Sequence, residues 1–245
     1  MKEVRYFYVP EPEAGELSSE ETQHAVRVLR LGAGDELVLV DGRGVLYDAV
    51  VSEATNHRCR YDILRSHAQE AEWNGNIHLA MAPTKNMDRV EWFVEKATEI
   101  GVDHISLLNT QFAERGVVKT ERLERVAVAA MKQSHKAWKP VIDEMEAFKG
   151  FISRSSLPAQ RFIAHCYDMA DITADSSLRE KPFLGDVLLK NTDALVMIGS
   201  EGDFSVDEVR AAEAAGFRSV SLGTSRLRTE TAALVAVHLM RLANR

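Results

Sequence analysis

The chain has 245 residues, 45% of them hydrophobic, and a formal net charge of −7. That length and apolar fraction support one large or two modest domains and exclude a disordered chain. The acidic balance excludes a protein that coats nucleic acid through its overall charge, although a local basic face stays open.

Residues 1–16 are mixed and acidic, with no apolar segment of a secretory leader, so a cytoplasmic protein is expected. No stretch has the ~20 consecutive apolar residues of a membrane span. Cys59 and Cys166 lie far apart in sequence and match no metal or redox spacing. Both are expected as small buried hydrophobes in a reducing compartment. No His, Cys and carboxylate spacing suggests a metal, and none is expected.

In chain order, residues 4–9, 36–41, 46–52 and 58–64 are short runs rich in β-branched and aromatic residues, punctuated by Gly32, Gly34, Gly42 and Gly44. One helix intervenes. Ser19 is placed to cap it, and Ala25, Val28 and Leu29 give it an apolar stripe. On that helix Arg27 and Arg30, three apart, would share one side. A small β-barrel with one helix is expected over 1–70. Residues 69–75 are polar and read as a linker.

The pattern then changes. Strand-like 77–81 precedes helical 87–100, and strand-like 104–108 precedes helical 120–136. Residues 161–165 and 194–198 are further strands. This alternation predicts an α/β domain with a mostly parallel sheet over 71–245. Over 119–139 six Lys and Arg face only two Glu, a basic stretch that, taken alone, reads first as a solvated helix face.

Near the C-terminus an apolar run ends in Ile198-Gly199-Ser200-Glu201-Gly202-Asp203-Phe204-Ser205. Ser205 and Glu208 have capping-box spacing, so a helix begins there, and Gly216 would end it. A strand over 219–222 then meets Leu222-Gly223, followed by Leu227-Arg228-Thr229-Glu230-Thr231-Ala232 and a last helix to 244. Two strand-to-turn-to-helix junctions can form one ligand cleft at the carboxyl ends of neighbouring strands. Glycine lets the backbone approach a ligand closely. There is no Gly-x-Gly-x-x-Gly or P-loop element.

The two junctions resemble the C-terminal signature of the RsmE family of SPOUT-class RNA methyltransferases. That family usually reads Ile-Gly-Pro-Glu-Gly-Gly-Phe-Ser at the first junction, where this chain has Ser200 and Asp203. The second junction matches in residue type. His24 to Arg30, Gly34-Asp35, Asp41-Gly42, Lys85, the words from Glu95 to Val102, Gln133-Ser134 and Pro140 extend the resemblance along the chain. Lys132 and Lys136 depart from the usual Glu and Arg.

The resemblance implies a PUA-like RNA-binding domain over 1–70 and a SPOUT methyltransferase domain with a trefoil knot over 71–245. It implies S-adenosyl-L-methionine as cofactor, uridine N3 of 16S rRNA in the small ribosomal subunit as substrate, and a homodimer. The cofactor role falls on the backbone around Ile198, Gly199, Gly202, Leu222, Gly223 and Leu227. Serine at 200 and Asp at 203 suggest a less rigid pocket.

N3 methylation needs a proton removed and charge on the uracil oxygens stabilised. Arg228 is the first candidate for the second task. Glu201 and Glu230 are candidates for base or orienting roles, with a helix-terminus charge as the plain reading of Glu230. Arg27, Arg30, Arg43, Lys85, Arg89, Arg115, Lys132 and Lys136 are candidates to line the RNA approach. The rivals are a ribose 2′-O-methyltransferase and a non-catalytic RNA-binding assembly factor.

Overall fold

The protein is described by a computed structural model, and the described residues are 5–71, 73–173 and 180–244. They form two units. The smaller comprises residues 1–71 and 128–139, and the larger 72–127 and 140–245.

In the smaller unit β1 (Tyr6–Tyr8), β2 (Glu36–Val40), β3 (Val45–Thr55) and β4 (Arg58–Ala68) form a four-stranded sheet in that order. β1 runs parallel to β2, and the other pairs are antiparallel. Register shifts at Asp48/Ala49 and Val51/Glu53 bend the long β3–β4 ribbon. The outer strand β4 is covered by residues 15–17, where Leu17 N donates to Cys59 O and Tyr61 N to Gly15 O. Phe7, Leu37, Leu39, Val51 and Cys59 are buried at its centre.

Helix α1 (Ser19–Gln23) is capped by Ser18, whose Oγ accepts from Glu21 N, and not by Ser19 as the sequence suggested. The chain continues into a wider π turn, His24–Val28. Arg30 lies beyond that turn at φ 56°. Arg27 and Arg30 therefore do not share the regular three-residue spacing of one α-helix, a correction to the sequence reading. Both are exposed.

The larger unit holds a seven-stranded parallel sheet. Its strands are β5 (Ile77–Met81), β6 (His104–Asn109), β7 (Val141–Ile142), β8 (Glu146–Ala147), β9 (Gln160–Ala164), β10 (Ala194–Ile198) and β11 (Arg218–Val220). The order is β11-β9-β10-β5-β6-β7, with β8 also on β6. Every residue of β5 and β10 is buried, as expected of central parallel strands covered on both faces.

One face is covered by α2 (Met87–Ile100), the first half of α3 (Thr120–Gln133) and α8 (Thr229–Ala243). The other is covered by α4 (Phe148–Ile152), α5 (Met169–Ile172) and α7 (Val206–Ala214). The short α6 (Leu184–Val187) sits against α8. The stretch expected as a polar linker contains Trp73, which is a core residue. It is 9% exposed, its Nε1 donates to Asp103 Oδ2 at 2.9 Å, and the Arg241 guanidinium lies 4.6 Å from its ring centroid.

Candidate cofactor cleft and adjoining pocket

The register of three neighbouring strands builds the site. Ile198 pairs with Ala164, and Val220 pairs with the same Ala164. The carboxyl ends of β10, β9 and β11 therefore stop level, side by side. The turns that leave them surround a cleft of about 870 Å³. That size suits a cofactor.

Of the six positions expected to hold a cofactor, Ile198, Gly199, Leu222, Gly223 and Leu227 line it. Gly202 does not. A Cβ there would point at Phe112 Cβ, 2.9 Å away, so Gly202 serves loop packing. Gly199 is needed for a close approach within the turn itself, because a Cβ would lie 2.8 Å from the Asp203 carbonyl carbon. Gly223 is the opposite case. Its φ is +118°, and a Cβ would meet nothing within 4 Å. It leaves open space on the wall of the cleft.

Ser200 and Asp203, where the sequence suggested a less rigid pocket, each hold backbone groups around the turn. Ser200 is buried, and its Oγ donates to Phe112 O at 3.0 Å. Asp203 adopts φ 66°, a region that Asp tolerates better than most residues. Its Oδ1 accepts from Phe204 N and its Oδ2 from Cys166 N, each at 2.8 Å.

The β9 end contributes residues that no sequence word announced. His165 Nε2 lies 3.0 Å from Ser219 Oγ, which donates to Glu213 Oε1 at 2.6 Å. Burial, with the Lys181 charge beside it, pushes the His165 pKa down to about 3, so it is a neutral group. Lys181 Nζ donates to His165 O and to Tyr167 O, and burial lowers its pKa. Cys166 is exposed on the cleft, against the expectation of a buried thiol, whereas Cys59 is buried. Burial and the Asp203 carboxylate raise the Cys166 pKa, which makes it a poor thiolate.

Arg228 is the N-cap of α8. It is exposed, it lines the cleft, and its guanidinium has no partner among the described residues. Glu230 lies in the first turn of α8 with its side chain 10% exposed. Its Oε1 is 3.8 Å from Arg89 Nε, and Oε2 has no hydrogen-bond partner. Glu201 also lines the cleft, but its carboxylate accepts from Lys85 N at 3.1 and 3.3 Å. It positions the loop before α2. A second pocket of about 630 Å³ adjoins α2 and shares Arg89, Arg226, Leu227 and Arg228 with the cleft.

The basic candidates divide. In the larger unit Lys85 pairs with Glu114 at 2.8 Å, Arg115 Nε donates to Lys85 O, and Arg89 faces Glu230. In the smaller unit Arg27 and Arg30 are exposed and Lys136 is half-buried. Arg43 is exposed but holds Glu11 and Pro10 O. Lys132 is committed elsewhere, because its Nζ lies 2.6 Å from the buried Glu21 carboxylate. The two form an ion pair within the smaller unit.

His78, His104 and Asp143 lie within reach of one another, a cluster that sequence spacing did not show. The two imidazoles are stacked 4.1 Å apart with planes 4° apart, so no single ion can sit in both ring planes. His78 Nε2 hydrogen-bonds instead with Ser106 Oγ at 2.8 Å, and His104 Nε2 lies 2.9 Å from Asp143 Oδ1.

This α/β unit with level strand ends is that of an RNA methyltransferase domain: residues 71–241 match the family model of that description, and residues 17–64 match that of the RNA methyltransferase PUA domain. A solved structure from Porphyromonas gingivalis, described as a probable rRNA-methyltransferase, is 41% identical, with a TM-score of 0.88 over 98% of both chains. Ribosomal RNA small subunit methyltransferase E of Neisseria gonorrhoeae, solved bound to S-adenosyl methionine, is 25% identical with a TM-score of 0.81 over 98% of both chains. The Mycobacterium tuberculosis protein of the same name is 30% identical over 94% of this chain and 88% of its own length. The chain belongs to the family of ribosomal RNA small subunit methyltransferase E.

Proposed function

We propose that this protein is an S-adenosylmethionine-dependent methyltransferase acting on uridine N3 of 16S rRNA, in the small ribosomal subunit. The observation that carries the reading is the row of level strand ends at Ile198, Ala164 and Val220, with open space over Gly223. The backbone groups of Ile198, Gly199, Leu222, Gly223 and Leu227 fit an adenine edge, which needs donors and acceptors and little side-chain bulk. α8 has no side-chain cap, so its first N–H groups remain available as donors beside the cleft.

When bound, S-adenosylmethionine supplies an electrophilic methyl group. On the protein's side, Glu230 accepts the N3 proton and Arg228 stabilises the charge left on the uracil oxygens. Glu201 acts through its grip on Lys85 N and does not touch the reacting atoms. Arg27, Arg30, Arg43, Lys85, Arg115 and Lys136 contact RNA phosphates, a positioning role without base choice.

The protein works in the cytoplasm, where small subunits are assembled. The chain from β10 to α8 is read as the trefoil knot, and the enzyme as a homodimer. No helix of the described residues is long and apolar enough to cross a membrane. Calorimetric titration with S-adenosylmethionine, followed by transfer of its labelled methyl to small-subunit rRNA, tests the reading. Cofactor binding with methyl transfer is expected. RNA binding without cofactor binding would leave the assembly factor.

A further inference from the structure

The second pocket holds features that cofactor binding does not explain. Trp92 lies on α2, three residues beyond Arg89 and therefore on the same side of the helix. It is 42% exposed, although it is a large aromatic side chain. Both line the pocket with Arg228 and Glu230. Glu230 is nine-tenths buried, yet its carboxylate makes no hydrogen bond: Arg89 Nε is 3.8 Å from Oε1, and Oε2 has no partner. A buried carboxylate without a donor is costly unless a ligand supplies one.

We propose that this pocket receives the target uracil, with Trp92 as its stacking surface and Glu230 as the acceptor for its N3–H. The inference rests on the uridine reading above and deepens it. A base that undergoes chemistry must leave its stack, and a stacked aromatic side chain replaces part of what it loses. The Watson–Crick edge of uracil presents an acceptor, a donor and an acceptor: O4, N3–H and O2. A carboxylate with guanidinium groups from Arg89 and Arg228 offers donors and an acceptor to match. Cytosine presents a lone pair at N3, which a carboxylate repels. The same residues thus select uridine over cytidine. The pocket shares Arg89, Leu227 and Arg228 with the cofactor cleft, so the base sits next to the methyl donor.

The test uses the full-length protein and small-subunit rRNA from cells lacking this methylation. Trp92→Ala should raise KM for RNA tenfold or more, with cofactor affinity unchanged, and Trp92→Phe should restore most of it. Glu230→Gln should reduce the preference for a target U over C in equilibrium RNA binding. A synthetic rRNA fragment with 5-iodouridine at the methylated position should photo-crosslink to Trp92 of the wild-type protein, a readout independent of any variant's folding. If the wild type transfers methyl groups but Trp92→Ala keeps its KM and the crosslink falls elsewhere, the pocket assignment is overturned and the methyltransferase reading stands. If the wild type neither binds S-adenosylmethionine nor transfers a methyl group, both fall.

Discussion

Asp203 Oδ2 accepts a hydrogen bond from Cys166 N at 2.8 Å, and this bond ties the turn after β10 to the end of β9. A glycine at 203 would have reached φ 66° more easily but offered no carboxylate. The Asp203 carboxylate thus holds backbone on both sides of the turn, Phe204 N and Cys166 N. Asp203→Ala loses both backbone hydrogen bonds and leaves at φ 66° a residue that tolerates the left-handed region less well than Asp. A stability loss of about 1–3 kcal/mol is expected, with weaker S-adenosylmethionine binding. Asp203→Asn tolerates that φ but keeps only one of the two acceptors and turns an amide donor toward the other N–H, so it should lie between Asp203→Ala and wild type in urea unfolding and calorimetry.

The two glycine turns should respond differently. Gly199→Ala drives a Cβ into the Asp203 backbone, so loss of folded protein is expected. Gly223→Val has space for its side chain but fills the cleft wall. It should fold with some strain from φ +118° and lose cofactor binding. Circular dichroism with calorimetry separates the two outcomes. A folded Gly223→Val protein with full cofactor affinity would remove this turn from the site.

Arg228→Lys replaces a planar fork of donors with a point charge. kcat is expected to fall about tenfold or more, with cofactor affinity near wild type. Reduced cofactor affinity at normal kcat would make Arg228 a cofactor ligand instead.

Lys132 and the Arg27/Arg30 pair should separate stability from RNA affinity. Lys132→Ala leaves the Glu21 carboxylate buried without its cation, a loss of up to about 3 kcal/mol. The salt dependence of RNA binding should not change. Charge reversal at Arg27 and Arg30, both exposed, should weaken RNA binding and flatten its salt slope, because fewer counterions are released. An unchanged slope in the double variant would move the RNA surface away from these residues.

Stability should fall in mild acid. Burial holds His78 and His165 neutral, with pKa values of about 3, against an ordinary value near 6.5. Between those values the unfolded chain binds protons that the folded protein refuses, so stability rises with pH across that window. The expected loss by pH 5 is about 2 kcal/mol for each histidine relative to pH 8. Urea unfolding at the two pH values measures it. The double variant His78→Asn/His165→Asn should show a flatter dependence, whatever its absolute stability.

The two glycine junctions were legible because each ends an apolar run and opens a helix, and the Ser205–Glu208 capping box forms as its spacing predicted. Helix α2 was legible from its period, and its expected bounds match those observed. The short β7, β8, α4, α5 and α6 carry too few residues for a period to emerge. Trp73 was hidden among polar neighbours, since the partners that bury it, Asp103 and Arg241, are remote in sequence. His165, Cys166 and Lys181 join the cleft only because β9 lies between β10 and β11, an order that local sequence does not encode. The role of Lys132 depends on Glu21, 111 residues away.

Mass analysis of the modified nucleoside tests the central claim most directly. Small-subunit rRNA lacking this modification is incubated with the purified protein and S-adenosylmethionine, then digested to nucleosides. One added methyl group on the base of a uridine, eluting as 3-methyluridine, is the predicted result. Recovery of 2′-O-methyluridine would contradict the assignment to N3, and no methylated nucleoside in the presence of bound cofactor would contradict the catalytic account.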